Sequence, residues 1–288
     1  MTMRPFKQID VFTRSAGLGN PLAVVLDAQG LSDDTMQRFA RWTNLSETTF
    51  LLPPTQSGAD YRVRIFTPGG ELPFAGHPTL GSSHAWLEAG GQPLQANTIV
   101  QECGVGLVRI RRAGTGLAFA APPLTRENPS PTVLARVAQA LGLKVGQVRA
   151  AQNLTNGPTF LALLVDSAQT VLACVPDFLA LKKLELDVGL VHVDSALAAT
   201  NSIANGQPAV TVRAFVPKAG ISEDPVTGSL NASLAQWLIA EGLAPERYLA
   251  AQGECLGRAG RVVIERDAQG QVWVGGDCVT CIDGTVTF

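Results

Sequence analysis

The chain has 288 residues, of which 46% are hydrophobic and 16% charged, and its formal net charge is −2. That length has room for two domains, and that composition belongs to a globular protein with a large core rather than to a disordered segment. With so little net charge and no Lys/Arg cluster, nucleic acid and anionic membrane surfaces are excluded as expected partners.

The opening Met-Thr-Met-Arg-Pro-Phe-Lys has neither the apolar core nor the cleavage site of a signal peptide. Apolar runs such as Phe160 to Val165 are far too short to cross a bilayer. A cytoplasmic protein is the expectation.

In chain order, Ile9 to Phe12 reads as a strand, and Gly17 to Pro21 as a turn into a short apolar strand, Leu22 to Leu26. Ser32 caps a helix with Asp33 and Asp34 in its first turn and Met36, Phe39 and Ala40 on one face. Past Thr43 the β-branched and aromatic stretch to Leu52 reads as a strand, followed by another from Tyr61 to Phe66. A helix is expected from near Pro78 to Gly90-Gly91, with strand-rich sequence from Thr98 to Ala120. Pro122 to Pro131 is the linker candidate, after which Thr132 to Leu141 reads as a helix closed by Gly142. Strands at Thr159 to Val165 and Leu190 to Val193 flank a helix around Pro176 to Leu184. A second long helix is expected from Pro225 to Glu241, and the tail from Gly260 reads as a hairpin turning at Asp267 to Gly270. The expected domains are residues 1–120 and 121–288, with the last strand able to pack back on the first domain. This is not the strict strand-helix alternation of a doubly wound sheet.

One segment occurs twice. Arg64-Ile65-Phe66-Thr67-Pro68 followed by Pro78-Thr79-Leu80-Gly81-Ser82 matches Arg213-Ala214-Phe215-Val216-Pro217 followed by Pro225-Val226-Thr227-Gly228-Ser229. A duplicated fold is the natural reading. Just before the shared proline the copies differ, with His77 in one and Asp224 in the other, and both are ionisable. A cleft between two such halves suits proton transfer.

Glu47 lies between apolar Leu45 and Phe50, where desolvation raises a carboxyl pKa toward the range useful for general acid/base work. The pattern alone fits a solvent-facing strand glutamate as well. His77 is also readable as a packing histidine and Asp224 as an ordinary helix cap. Gly81-Ser82 and Gly228-Ser229 are expected at helix starts, whose N–H groups suit a substrate carboxylate or a developing enolate. Ser46 or Ser82 with His77 is a weaker hydrolase option. Five cysteines, an odd number, do not suggest a disulfide framework. Cys278 and Cys281 form a C-x-x-C inside strand-like sequence, where positions three apart face opposite sides, so buried apolar packing is expected rather than a redox or zinc site.

Four blocks together resemble the signatures of the PhzF-type phenazine-biosynthesis isomerases. They are Gly19-Asn20-Pro21-Leu22-Ala23-Val24-Val25, Asn44-Leu45-Ser46-Glu47-Thr48-Thr49-Phe50, Phe66-Thr67-Pro68 with Glu71 to Gly81, and Glu223 to Ser229. They span nearly the whole chain in family order. The resemblance implies an α+β fold of the diaminopimelate-epimerase type: two pseudo-symmetric domains, each a curved, mostly antiparallel sheet or barrel wrapped around a central helix, with the active site between them. It implies Glu47 as the catalytic acid/base, with His77 and Asp224 supporting it. Asn20, Ser46, Gly76, Gly81, Ser82, Gly228 and Ser229 would bind the substrate. It further implies a small carboxylate substrate, no cofactor, no metal, and a homodimer.

Related epimerases of this fold use two cysteines, and none of the five cysteines here falls in the corresponding turns. Many relatives carry an acidic residue two positions before the Asn-Leu-Ser-Glu block, where this chain has Trp42. Two alternatives stay open: an epimerase or racemase with carboxylate bases, and a non-catalytic binding or interaction protein.

Overall fold

The computed structural model describes residues 2–113, 116–144, 146–217 and 220–288. The chain divides into two compact units, Met1–Ala120 with Gly275–Phe288, and Ala121–Val274.

The first unit runs β1 (Met3–Val11), β2 (Asn20–Val25), α1 (Asp33–Thr43), β3 (Glu47–Leu52), β4 (Tyr61–Phe66), β5 (Glu71–Leu72), α2 (Gly76–Glu88), β6 (Thr98–Cys103), β7 (Gly106–Ala113) and β8 (Gly116–Ala120). Its sheet is mostly antiparallel, with two parallel pairs. β1 pairs β2 antiparallel, β2 pairs β3 parallel across the α1 crossover, and β3 pairs β4 antiparallel. β4 pairs β5 antiparallel and β6 parallel across α2, and β6, β7 and β8 form a meander.

The second unit runs β9 (Thr125–Glu127), α3 (Pro131–Ala140), β10 (Val148–Thr155), β11 (Thr159–Val165), α4 (Ala168–Ala173), α5 (Phe178–Leu184), β12 (Asp187–Val193), α6 (Ser195–Ala198), α7 (Ser202–Asn205), β13 (Val210–Val216), β14 (Ile221–Asp224), α8 (Gly228–Ala240), β15 (Arg247–Gln252) and β16 (Gly260–Arg266). β17 (Val272–Gly276) then leads out of it toward β18 (Cys278–Thr287), which pairs antiparallel with β1. The pairings repeat those of the first unit. β10 is antiparallel to β11, β11 parallel to β12, and β12 antiparallel to β13. β13 is antiparallel to β14 and parallel to β15, which is antiparallel to β16. Strand for strand, the duplication seen in the sequence is a duplication of topology.

The repeated Arg-x-Phe has a structural cause. Arg64 clasps Glu71 through two hydrogen bonds of 2.7 and 2.6 Å, tying β4 to β5, and its guanidinium lies 5.0 Å from the Phe66 ring. Arg213 clasps Glu223 at 2.9 and 2.7 Å, tying β13 to β14, and lies 4.8 Å from Phe215. The second arginine also donates to the carbonyls of Val171 and Cys174. Planar bidentate pairing is what makes arginine the residue for this clip.

α2 and α8 are the central helices. Small and apolar residues surround both, so almost every face can be buried. α2 packs on β1, β2, β3, β6, β8 and β18. The fit is close: a Cβ at Gly81 would meet Leu22 Cδ2 at 2.6 Å and Val11 Cγ2 at 2.9 Å. α1 instead covers the outer face of its sheet, burying Met36, Phe39 and Ala40 against Val25, Phe50 and Phe66. In the second unit α3, α4 and α5 cover the corresponding face over Leu161, Leu163, Leu190 and Phe215.

The structure amends several sequence expectations. α2 starts at Gly76, earlier than Pro78, because proline fits the first helical turn as well as its first position. α8 starts at Gly228, later than Pro225, since Asp224 ends β14 and the turn after it is held by side chains. The helix expected around Pro176 to Leu184 is α5, starting at Phe178, and a further short helix, α4, precedes it, with Cys174 to Asp177 and the helix-breaking Pro176 between the two. The tail holds β16, β17 and β18 rather than one hairpin. Cys281 is exposed rather than buried: the β1–β18 register shifts so that Gln8 faces Ile282 and Ile9 faces Thr280, leaving Cys281 in a bulge.

Candidate active site

Three elements of the first unit end at one place. α1 begins under Ser32, whose hydroxyl accepts the Thr35 N–H, and ends at Asn44 in the left-handed conformation, φ 55°. That reversal feeds Leu45 and Ser46 into β3, so Glu47 is its first residue. β2 runs parallel to β3 with Leu22 opposite Glu47, which puts Asn20 at the same end of the sheet. The loop before Asn20 is anchored by the buried Asp10 carboxylate, which accepts the N–H groups of Gly17 and Gly19. The third element is the start of α2, with His77 as its second residue.

The side chains form a chain of contacts. Ser46 Oγ donates to Asn20 Oδ1 at 3.5 Å, so the Asn20 amide nitrogen turns to His77 Nδ1, 3.3 Å away. An amide N–H can only donate, so Nδ1 accepts and a neutral His77 carries its proton on Nε2. That nitrogen lies 3.5 Å from Glu47 Oε2. Asn20 is fully buried, and the side chain of Glu47 is 16% exposed. Burial pushes the Glu47 carboxyl up from the usual carboxylate range to about 7, and the neighbouring Ser46 hydroxyl, when it turns from Asn20 to the carboxylate, opposes that shift. A carboxyl pushed toward neutrality beside an imidazole can both take and return a proton.

At the start of α2 no side chain among the described residues caps the helix; Ala75 holds the capping position. Gly76 and His77 supply first-turn N–H groups, the type of end that accepts anions. Gly81 and Ser82 sit a full turn further on. Gly81 packs against Leu22 and Val11, and the buried Ser82 hydroxyl donates to Thr49 at 2.9 Å, so packing accounts for both. The structural counterpart of Gly228-Ser229 in the first unit is therefore Gly76-His77, not Gly81-Ser82.

In the second unit, Asp224, Gly228 and Ser229 are buried around the start of α8. Thr227 Oγ1 donates to Asp224 Oδ2. Gln252 organises this turn: Nε2 donates to the Asp224 carbonyl at 3.0 Å and to Thr227 Oγ1 at 2.9 Å, while Oε1 accepts the Thr227 N–H and Asn231 Nδ2. With its own oxygen already receiving a hydrogen from Gln252, the Thr227 hydroxyl proton is aimed at Asp224. Gln252 was not legible as a functional residue, because its link to Asp224 spans 28 residues, whereas Thr227 lies only three residues from Asp224 within the motif. Asn156 was missed too, although Asn156-Gly157-Pro158 is a scrambled echo of Gly19-Asn20-Pro21.

Other residues singled out in the sequence lie elsewhere. Trp42 is 77% exposed on α1, stacked obliquely on Phe39, and borders an outer groove of about 380 Å³ with Phe6, Gln8 and Val286. His84 contacts Glu88 and Thr280 on the far part of α2, and His192 Nδ1 meets the Val165 carbonyl. Among the described residues no three His, Cys, Asp or Glu side chains gather as a metal site, and no helix is long and apolar enough to cross a membrane.

The family model of the phenazine biosynthesis-like proteins (PhzC-PhzF) matches residues 9–284. The chain is 36% identical to Antisense-enhancing sequence 1 of Schizosaccharomyces pombe, covering 99% of each. It is 34% identical to the trans-2,3-dihydro-3-hydroxyanthranilate isomerase of Pseudomonas aeruginosa over 93% of this chain and 92% of that one. Its fold matches the crystal structure of a PhzF-family phenazine biosynthesis protein from Bacillus anthracis with a TM-score of 0.84, 22% identity and full coverage of both chains. The α+β architecture is thus that of the diaminopimelate-epimerase-like PhzF proteins. The chain belongs to the phenazine biosynthesis-like family, as an isomerase of the PhzF type.

Proposed function

We propose that the chain moves a proton between carbons of a small cyclic or enolisable carboxylic acid, with Glu47 as the general acid/base. The single observation that carries this reading is Glu47 itself, a carboxyl desolvated to a pKa of about 7 and 3.5 Å from the imidazole of His77. In the forward step the Glu47 carboxylate takes a proton from carbon, and the C–H electron pair enters the conjugated system of the acid. The carboxyl exchanges that proton with solvent and then delivers a proton to another carbon of that system. His77 donates from Nε2, and its orientation rests on Asn20 and, through Asn20, on Ser46. The N–H groups at Gly76 suit the charge that develops on the substrate as the proton leaves. Asp224, in the second unit, serves as a further substrate-holding group; the Thr227 and Gln252 hydrogen bonds that fix it support this role. Such a proton shift asks for no cofactor beyond these side chains.

The relatives named trans-2,3-dihydro-3-hydroxyanthranilate isomerase lend the substrate class: a cyclohexadiene acid with neighbouring amino and hydroxyl groups. The family resemblance adds a cytoplasmic homodimer to the proposal, which light scattering tests as a mass twice that of the chain. The function itself is tested by incubating the protein with trans-2,3-dihydro-3-hydroxyanthranilate in D2O and following the ring protons by NMR. Conversion with deuterium entering at one ring carbon is expected, with kcat/KM rising through about pH 7 as Glu47 ionises. No conversion and no exchange would remove this acid as the substrate.

A further inference from the structure

The second unit contains a buried turn residue that the chemistry above does not use. β10 and β11 are joined by Asn156-Gly157-Pro158, with Thr155 opposite Thr159 and Gly157 in a positive-φ conformation, φ 130°. Hairpin-turn asparagines ordinarily face water. Asn156 is instead only 6% exposed, and its Nδ2 donates to the carbonyl of Ser229, the second residue of α8, at 2.9 Å. Its Oδ1 is buried, and among the described residues no donor reaches it. A buried amide oxygen without a partner is costly, so a native protein that keeps one calls for an explanation.

The first unit supplies the comparison. There Asn20 plays the same part, its Nδ2 directed at the second residue of α2, while Ser46, just before the first residue of β3, donates to its Oδ1. In the second unit Asp187 opens β12 as Glu47 opens β3, with Phe160 opposite it as Leu22 is opposite Glu47. The residue before Asp187 is Leu186, which has no side-chain donor. The internal donor of the first unit is thus replaced by a hydrocarbon in the second. The adjoining start of α8 has no side-chain cap among the described residues and presents first-turn N–H groups at Gly228 and Ser229.

We propose that Asn156 is a substrate-binding residue, whose Oδ1 accepts a hydrogen bond from an amino or hydroxyl group of an acid whose carboxylate is taken at the start of α8. The ligand class is then a carboxylic acid with a neighbouring hydrogen-bond donor, not a bare carboxylate. The inference rests on the proposed function, in that it takes the start of α8 to receive substrate.

Three probes separate the possibilities: benzoate, anthranilate and 3-hydroxybenzoate, with dissociation constants measured by calorimetry on the full-length protein. The wild type is expected to bind at least one donor-bearing acid about tenfold more tightly than benzoate, since a site built to pair a donor discriminates against its absence. Asn156→Ala should bring that ratio close to one. Asn156→Asp, which keeps an acceptor at the same place, should preserve the ratio even where all three affinities fall. Because the readout is a ratio within each protein, a general loss of stability, followed by thermal melting, does not imitate it. If the wild type discriminates and Asn156→Ala discriminates equally, the proposed function stands and this inference is overturned. If Asn156→Asp loses the ratio along with Asn156→Ala, the acceptor role is overturned. If the wild type binds none of the three acids, the proposed substrate class falls and this inference falls with it.

Discussion

The two units share their strand connections but not the chemistry at the start of their central helices. In the first, the second helical residue is His77, beside a glutamate pushed to near-neutral pKa. In the second, the same place holds Ser229, surrounded by Asn156 and the Asp224–Thr227–Gln252 network. Duplication preserved what folding needs: the arginine clip, the parallel crossovers, and a central helix small enough to be surrounded by a sheet. Divergence fell on the residues at the helix start. In the proposed function, one copy serves as the proton-transfer centre and the other as a set of fixed hydrogen-bonding groups. A duplicated fold can separate these duties because each helix start offers the same backbone N–H groups regardless of the side chains placed around them.

The arginine clips give the sharpest way to break this comparison. Arg213 and Glu223 are both nearly fully buried, whereas Arg64 pairs with Glu71 and Asp33, which are well exposed. Removing one member of a buried pair strands the other, so Arg213→Ala should cost about 3–5 kcal/mol in urea unfolding. Arg64→Ala, with solvent to hydrate its partners, should cost about 1 kcal/mol. Equal losses would show that the two clips are not differently buried in solution. The next effect concerns Asn20. Asn20→Asp places an acceptor against His77 Nδ1, moving the ring proton away from Nε2, and should lower kcat by about tenfold or more with little change in KM. A change confined to KM would make Asn20 a binding residue, like the role proposed for Asn156.

A smaller effect follows from the Glu47 titration. Its folded pKa, about 7, lies above the ordinary carboxyl value, so the folded state binds the proton more tightly than the unfolded one. The stability this contributes is complete below about pH 4.5 and is lost as pH rises through about 7. Glu47→Gln, neutral throughout, should therefore match wild-type stability near pH 4 and exceed it at pH 8 by on the order of 1–3 kcal/mol. A variant no more stable at pH 8 would mean that the carboxylate is better solvated than its burial implies.

Much of the fold was legible because it is written locally. Ser32 with its two aspartates marked the start of α1, and the unbroken apolar run from Phe160 marked β11, a strand between two neighbours. The repeat itself pointed to duplication. The helix starts were less legible, since Pro78 and Pro225 suggested equivalent positions that the structure shifts apart: one lies inside its helix and the other three residues before it. That shift is why Gly81 and Ser82 looked like a binding turn. Glu47 and His77 were identifiable as ionisable residues in a motif, but their proximity and the burial of Glu47 depend on β2, β3 and α2 meeting at one end. Asn156 and Gln252 carry no local period or spacing that marks them, because their hydrogen bonds join elements far apart in sequence.

The central claim is that Glu47 moves the proton, and solvent exchange in the Glu47→Gln protein tests it most directly. With trans-2,3-dihydro-3-hydroxyanthranilate in D2O, the wild type should incorporate deuterium at a ring carbon as it turns over. Glu47→Gln should keep the wild-type fold by circular dichroism yet lose exchange by about a thousandfold or more. Exchange at the wild-type rate in a folded Glu47→Gln protein would contradict the account.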